Sequence, residues 1–248
     1  MITKEIRSLQ HPLIKHWKKL RENSLYRREN KKILISGKKL IIEISQKFSI
    51  DVLISTENIN PIPALLHVQT TLPIIKKITG LQEPDGYAAE LTLPEIPLPP
   101  DMKYLLILDQ IKDPGNLGTL LRSALALGFE GVFITNETVD PFNEKVLRAA
   151  RGANFFLPIQ TLSLTEIFTF LQKKKFSIYI ADIEGKSADQ VAFNPPLALI
   201  LSHESEGVNP KIQKKGTVIT IPMSPFSESL NVAISGGILM YIMTRPSK

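Results

Sequence analysis

Residues able to do chemistry gather in three short stretches of the chain: "DQIKDPGNLG" (109–118), "SHESEGVNP" (202–210) and "PMSPFSESLN" (222–231). Each follows an apolar run of strand length, and ligands of open α/β sheets bind beyond the carboxyl ends of the strands. In the first stretch Asp113, Pro114 and Gly115 make a turn, and Asn116 is placed to cap the helix that follows. On that helix Leu117, Leu120, Leu121, Ala124 and Leu125 share a face, while Arg122 projects away from it, where its planar fork of donors suits a phosphate. The second stretch sets His203, Glu204 and Glu206 within four residues, a grouping that serves acid–base work or a cation. In the third, Ser227 or Ser229 could cap a last helix that starts near Asn231, and the polar residues exceed what one cap needs. A solvated arginine and ordinary polar turns account for the same residues, so these positions are candidates and not yet a site.

Several familiar chemistries lack their residues. Neither G-x-G-x-x-G nor G-x-x-x-x-G-K-[ST] occurs, and no G-x-S-x-G nucleophile elbow is present. The chain has no cysteine and four histidines, which excludes disulfides, thiolate sites and a cysteine nucleophile and leaves no expectation of a metal. No apolar run approaches the roughly 18 residues that span a bilayer, and the N-terminus lacks a secretory core, so a cytoplasmic protein without a membrane partner is expected. The net charge of +6 is concentrated near the start, where residues 1–50 hold 13 Lys and Arg against four Asp and Glu. Such a segment attracts a polyanion by neutralising phosphates, although a solvated basic face reads the same way.

The elements that must position these residues fall into two groups. "LPEIPLPPD" (93–101), with four prolines, favours an extended connector, so the domains are expected at 1–93 and 102–248 with a linker at 94–101. Before it, Pro12 to Leu25 reads as one basic helix with Leu13, Trp17 and Leu20 on an apolar stripe, then "KKILISGKKLIIEIS" as strand, turn at Gly37 and helix, and "DVLIST" as a strand. After it, "KYLLILDQ", "GVFIT", "FSIYIAD", "LALILS" and "TVITIP" read as strands, and "TLLRSALALG" as a helix ended by Gly128. Strands separated by helices imply a mostly parallel sheet with covered faces. Gly236 and Gly237 inside the last helix each cost about 1 kcal/mol against alanine, which predicts a close approach by another backbone or side chain.

Taken together, "LDQIKDPGNLGTLLRSALALGFEGVFI", "LILSHESEGV" and "IPMSPFSESLNVAISGGILMYIM" resemble the three ordered motifs of the SpoU/TrmH-type RNA ribose 2′-O-methyltransferases of the α/β-knot (SPOUT) superfamily. The N-terminal "IRSLQHPLIKHWKKLRENSLYRRENKKILISGKKLIIE" and "EPDGYAAEL" are similar to the small α/β RNA-substrate-binding domain of the ribosomal-RNA branch. The resemblance implies a deep trefoil knot in the C-terminal domain, S-adenosyl-L-methionine as methyl donor, a homodimer through that domain, and RNA, ribosomal RNA first, as the partner. By motif position it implies catalytic roles for Asn116, Arg122, Glu204, Ser229 and Asn231, and cofactor contacts, largely through backbone, at Ser202, Ile221 and Leu230. Arg122 would activate or orient the 2′-hydroxyl by positioning phosphate, because an arginine is too basic to act as a free base. The chain departs from the family pattern at Ser202, Ser205 and Pro225, where glycine is usual. Those departures keep a second reading open, a non-catalytic or tRNA-directed RNA-binding member of the same fold.

Overall fold

The computed structural model describes residues 2–57, 62–202 and 210–245, which group into two compact units: Met1–Glu95 with Phe142–Leu147, and Ile96–Pro141 with Arg148–Lys248. In chain order the first unit contains β1 (Ile2–Glu5), α1 (Pro12–Glu22), α2 (Ser24–Asn30), β2 (Lys32–Ser36), α3 (Lys38–Ser45), β3 (Val52–Ser55), β4 (Leu66–Gln69), α4 (Leu72–Thr79) and β5 (Tyr87–Thr92). Its strands form one sheet in the order β1-β4-β3-β5-β2, parallel across β1, β4 and β3 and antiparallel where β5 joins β3 and β2.

The single helix expected over Pro12–Leu25 is two. Asn23 breaks it: its extended backbone (φ −125°, ψ 112°) stops α1, while its side chain accepts from Tyr26 N at 2.9 Å and starts α2. A short polar side chain that offers the backbone an alternative partner favours a cap over a helix interior. Trp17 and Leu20 of the expected stripe are fully buried, with Ile14 beside them, against Ile54, Val68, Ile74 and Ile78, and Leu13 packs on the same core while partly exposed. Trp17 Nε1 donates to Glu90 Oε2 at 2.7 Å, which satisfies the indole inside the core. Part of the basic segment is structural as well: Arg27 is buried and its Nη1 donates to the carbonyls of Leu20 and Arg21. Lys15, Lys18, Lys19, Arg28 and Lys31 remain exposed.

The second unit contains β6 (Tyr104–Asp109), α5 (Pro114–Ala126), β7 (Gly131–Ile134), the end of α6 (Glu144–Ala150), β8 (Ile159–Thr161), α7 (Leu164–Lys173), β9 (Ser177–Ser187), β10 (Leu197–Ser202), α8 (Pro210–Gln213), β11 (Thr217–Thr220) and α9 (Val232–Thr244). Its described strands lie in the order β11-β9-β10-β6-β7-β8, and every pairing is parallel. The α/β class and parallel sheet read from the apolar runs therefore hold. The central strands β6 and β10 are buried along nearly their whole length, as strands covered on both faces must be. From β6 the chain steps outward to β7 and β8, then returns on the other side of β10 to β9, so the order reverses beside β6 and β10. A reversal of this kind leaves a crevice at the carboxyl ends of the strands.

The last helix explains half of its glycine pair. It packs on α5 and β10, and a Cβ on Gly236 would collide with Leu120 Cδ2 and stand 2.6 Å from Leu201 Cδ1. Gly237 is different, since its Cβ would meet only Ser123 Oγ at 4.0 Å. Gly236→Ala is therefore expected to destabilise the fold by about 1–3 kcal/mol through overpacking. Gly237→Ala should stabilise it by about 0.5–1 kcal/mol through helix propensity. Thermal melts of the two variants, expected to move in opposite directions, check this; a loss of stability in both would contradict the packing described.

Candidate active site

The carboxyl ends of β6, β10 and β11 lie at one end of the parallel sheet, with the segments after β6 and β11 beside them. The helix after β6 begins earlier than its sequence suggests, because Asp113 and not Asn116 is the cap: Asp113 Oδ1 accepts from Asn116 N at 2.7 Å, and Pro114 takes the first helical position, where its missing N–H costs nothing. The helix ends as expected, with Gly128 in the left-handed region at φ 78°. With capping done by Asp113, the Asn116 side chain turns to another task. Its Oδ1 accepts from Asn231 Nδ2 at 3.0 Å, joining residues 115 positions apart.

Asn231 in turn is the cap of α9, a role the sequence offered to Ser227 or Ser229. Its Oδ1 accepts from Ala233 N at 2.9 Å and Ile234 N at 3.3 Å. One asparagine thus starts α9 with its oxygen and ties the third loop to α5 with its amide. Ser227 instead donates to the Ser229 carbonyl at 3.3 Å, within the loop. Pro225 sits second in a turn closed by Ser227 N donating to Ser224 O at 3.0 Å, a position whose preferred φ a proline already has.

A cavity of about 190 Å³ opens beside residues 181–183 of β9 and the carboxyl ends of β10 and β11. Ser202, Ile221 and Leu230 all line it, as does Ser229. Four of the eight candidate residues therefore share one space, and Asn116 with Asn231 form a pair at the start of α5 and α9. Arg122 is exposed and lies six residues beyond Asn116 on α5, about 9 Å along the axis at the helical rise. It does not line the cavity. Glu204, with Ser205, His203 and Glu206, lies outside the described residues.

The floor at the strand ends is electrostatically unusual. Ser202 and Asp109 are paired in register across β10 and β6, and both carry a buried oxygen with no hydrogen-bond partner among the described residues, Ser202 Oγ and Asp109 Oδ1. Burial raises the Asp109 carboxyl above its ordinary range; a hydrogen bond from Thr135 pulls the other way, and Glu137 adds to the rise. Unpaired buried polar atoms cost stability and gather where a ligand or a reaction needs them. Among the described residues no group of three His, Cys, Asp or Glu side chains is arranged to hold a metal, and no helix is long and apolar enough to cross a membrane.

The rim of the cavity includes residues that sequence reasoning passed over, chiefly Asp182 and Ile183. The strand expected from "FSIYIAD" ends at Asp182 and leaves Ile183 outside, whereas β9 runs on to Ser187 and leaves its ladder on the way: Tyr179 and Ile180 pair with Thr217 and Val218, and the next pairs are Lys186 with Ile219 and Ser187 with Thr220. Gly185 is the available signal. A Cβ on it would overlap the Ile219 backbone, 2.6 Å from its Cα, and a glycine inside a strand marks a bulge or such a close approach.

Comparison with known proteins bears on the same segment. A model described as the SpoU rRNA methylase family matches residues 103–241. The 23S rRNA (guanosine(2553)-2′-O)-methyltransferase RlmP of Bacillus subtilis is 31% identical over 245 residues, 96% of this chain and 98% of that protein. The 23S rRNA (guanosine-2′-O-)-methyltransferase RlmB of Shewanella oneidensis is 32% identical over 164 residues, 63% of this chain and 65% of RlmB, so the match spans just under two thirds of that relative. Among solved structures, an AdoMet-bound rRNA methyltransferase from Sinorhizobium meliloti matches with a TM-score of 0.87 over 97% of both chains; at 24% identity this likeness concerns the fold.

Proposed function

The chain belongs to the SpoU rRNA methylase family, and from that membership and the cavity at the strand ends we propose that it transfers the methyl group of S-adenosylmethionine to a ribose 2′-hydroxyl of ribosomal RNA. The observation that carries this reading is the meeting of Ser202, at the end of β10, with Ile221, Ser229 and Leu230, from the segment between β11 and α9, around one cavity. The cavity suits the donor: its walls are mostly apolar, as an adenosine demands, and Ser202 supplies a buried hydroxyl, unpaired among the described residues, for a polar edge. When bound, S-adenosylmethionine supplies a methyl electrophile on a sulfonium.

The protein's own work is positioning. Ser202, Ile221 and Leu230 would hold the donor, and Ser229 lies on the same wall. The Asn116–Asn231 pair would fix the neighbouring edge where substrate enters. Arg122 would grip an RNA phosphate with its fork of donors and so bring the 2′-hydroxyl into line. Glu204 joins the catalytic set by its place in the second motif. The knot belongs to the proposal too, supported by the cavity's assembly from separate returns of the chain.

Residues 1–93 would bind RNA through exposed basic side chains such as Lys15, Lys19 and Arg28, with residues 94–101 as linker to the catalytic domain at 102–248. A homodimer through the C-terminal domain is supported by an apolar strip on α9, where Ile234 is 54% and Tyr241 47% exposed one above the other at i and i+7. Calorimetric titration with S-adenosylmethionine tests the reading: saturable binding is expected, and its absence at millimolar cofactor with folded protein would overturn it.

A further inference from the structure

Asp182 is the one charged side chain among the described residues that line the cavity; the others are apolar or carry a hydroxyl. It arrives there because β9 leaves its ladder with β11 over residues 181–185, which places Ala181, Asp182 and Ile183 on the rim. The carboxylate is held from two directions. Its Oδ1 accepts from Glu184 N and its Oδ2 from Gln213 Nε2, each at 3.1 Å. Both donors are neutral, so they fix the direction of the carboxylate without cancelling its charge.

An oriented negative charge with no cationic partner among the described residues, beside a small apolar space, favours a cationic ligand over a neutral one of the same shape. The two ligands this cavity must tell apart in each turnover differ in that way. The methyl donor carries a sulfonium; the spent cofactor, having lost its methyl, carries a neutral thioether. Their adenine, ribose diol, ammonium and carboxylate are the same.

We propose that Asp182 is a specificity-determining residue that favours the charged methyl donor over its demethylated product, so that product leaves and donor replaces it. The inference rests on the reading of the cavity as the cofactor site. Groups common to both ligands cancel in the comparison, so a preference that depends on Asp182 reports the methyl sulfonium, and its loss in Asp182→Asn but not in Asp182→Glu reports the charge.

The test is calorimetric titration of the full chain with S-adenosylmethionine and, separately, with S-adenosylhomocysteine, for the wild type, Asp182→Asn and Asp182→Glu. Asp182→Asn should weaken the donor about tenfold, a change of about 1.4 kcal/mol, and the product by less than about threefold. Asp182→Glu keeps the charge and should keep most of the preference. Equal weakening of both ligands by Asp182→Asn, up to complete loss, would overturn the inference and make Asp182 a contact to a shared group or a structural residue; no change in either would overturn it as well. Failure of the wild type to bind either ligand would instead sink the cofactor-site reading, so the two failures are distinguishable.

Discussion

Arg122→Ala is expected to lower ribose methylation by about 100-fold or more, the scale on which a transition-state positioning group acts, while affinity for S-adenosylmethionine stays within about threefold of wild type. The separation follows from geometry. Arg122 stands on the exposed side of α5 and takes no part in lining the cavity, whereas Leu117, Leu120, Leu121 and Ala124 of the same helix fill the core. Alanine is the best helix former, so an exposed truncation there should change stability by no more than about 0.5 kcal/mol. Arg122→Lys sharpens the test. A lysine keeps the charge but loses the two-pronged grip on phosphate, so it should recover only a small part of the rate. Parallel assays of single-turnover methylation and cofactor binding check both points. An equal loss of rate and cofactor affinity in Arg122→Ala would refute its role as a substrate-side residue.

Asn231→Asp is expected to keep the melting temperature within a degree or two of wild type and to cut methyl transfer at least tenfold, with cofactor binding little changed. The cap survives because a carboxylate accepts from Ala233 N and Ile234 N as the amide oxygen does, and a negative charge suits a helix N-terminus. The donor from Asn231 Nδ2 to Asn116 Oδ1 does not survive, since an aspartate has no amide hydrogen to give. Asn116 must then turn its own amide toward position 231, which reverses the polarity of the edge offered to substrate. Asn231→Ala removes both functions and should cost about 1 kcal/mol of stability in addition to the rate, roughly 2–4 °C in melting temperature for a chain of this size. Full activity in Asn231→Asp would show that Asn231 serves only as a cap.

The parallel sheet was legible because its central strands are continuous apolar runs: "YLLILD" and "LALILS" have no alternation that another structure could use. The places where sequence reasoning slipped are those where several residues could do one job. Asp113, Asn116, Ser227, Ser229 and Asn231 are all competent caps, and which one serves depends on which backbone N–H each side chain meets in three dimensions. Asn23 divided an amphipathic stretch whose periodicity alone continues unbroken. β1 and β4, four residues each, pair only through a tertiary register, so no local pattern announces them. For the site, polar excess in the loops pointed to Ser229 and Asn231, and resemblance to the family added Ser202, Ile221 and Leu230. Asp182 escaped both. It belongs to an excursion that exists only because β9 and β11 change register, and a ladder's register is set by the partner strand.

The reaction transfers a methyl group from S-adenosylmethionine to a ribose oxygen of RNA. Its most direct measurement is incubation of the protein with unmodified 23S rRNA and methyl-labelled S-adenosylmethionine, followed by digestion to nucleosides and mass spectrometry. Label is expected in a 2′-O-methylated nucleoside, lowered about 100-fold or more when Arg122 is alanine. Label on a base, or none at all from protein that binds the cofactor, would contradict it.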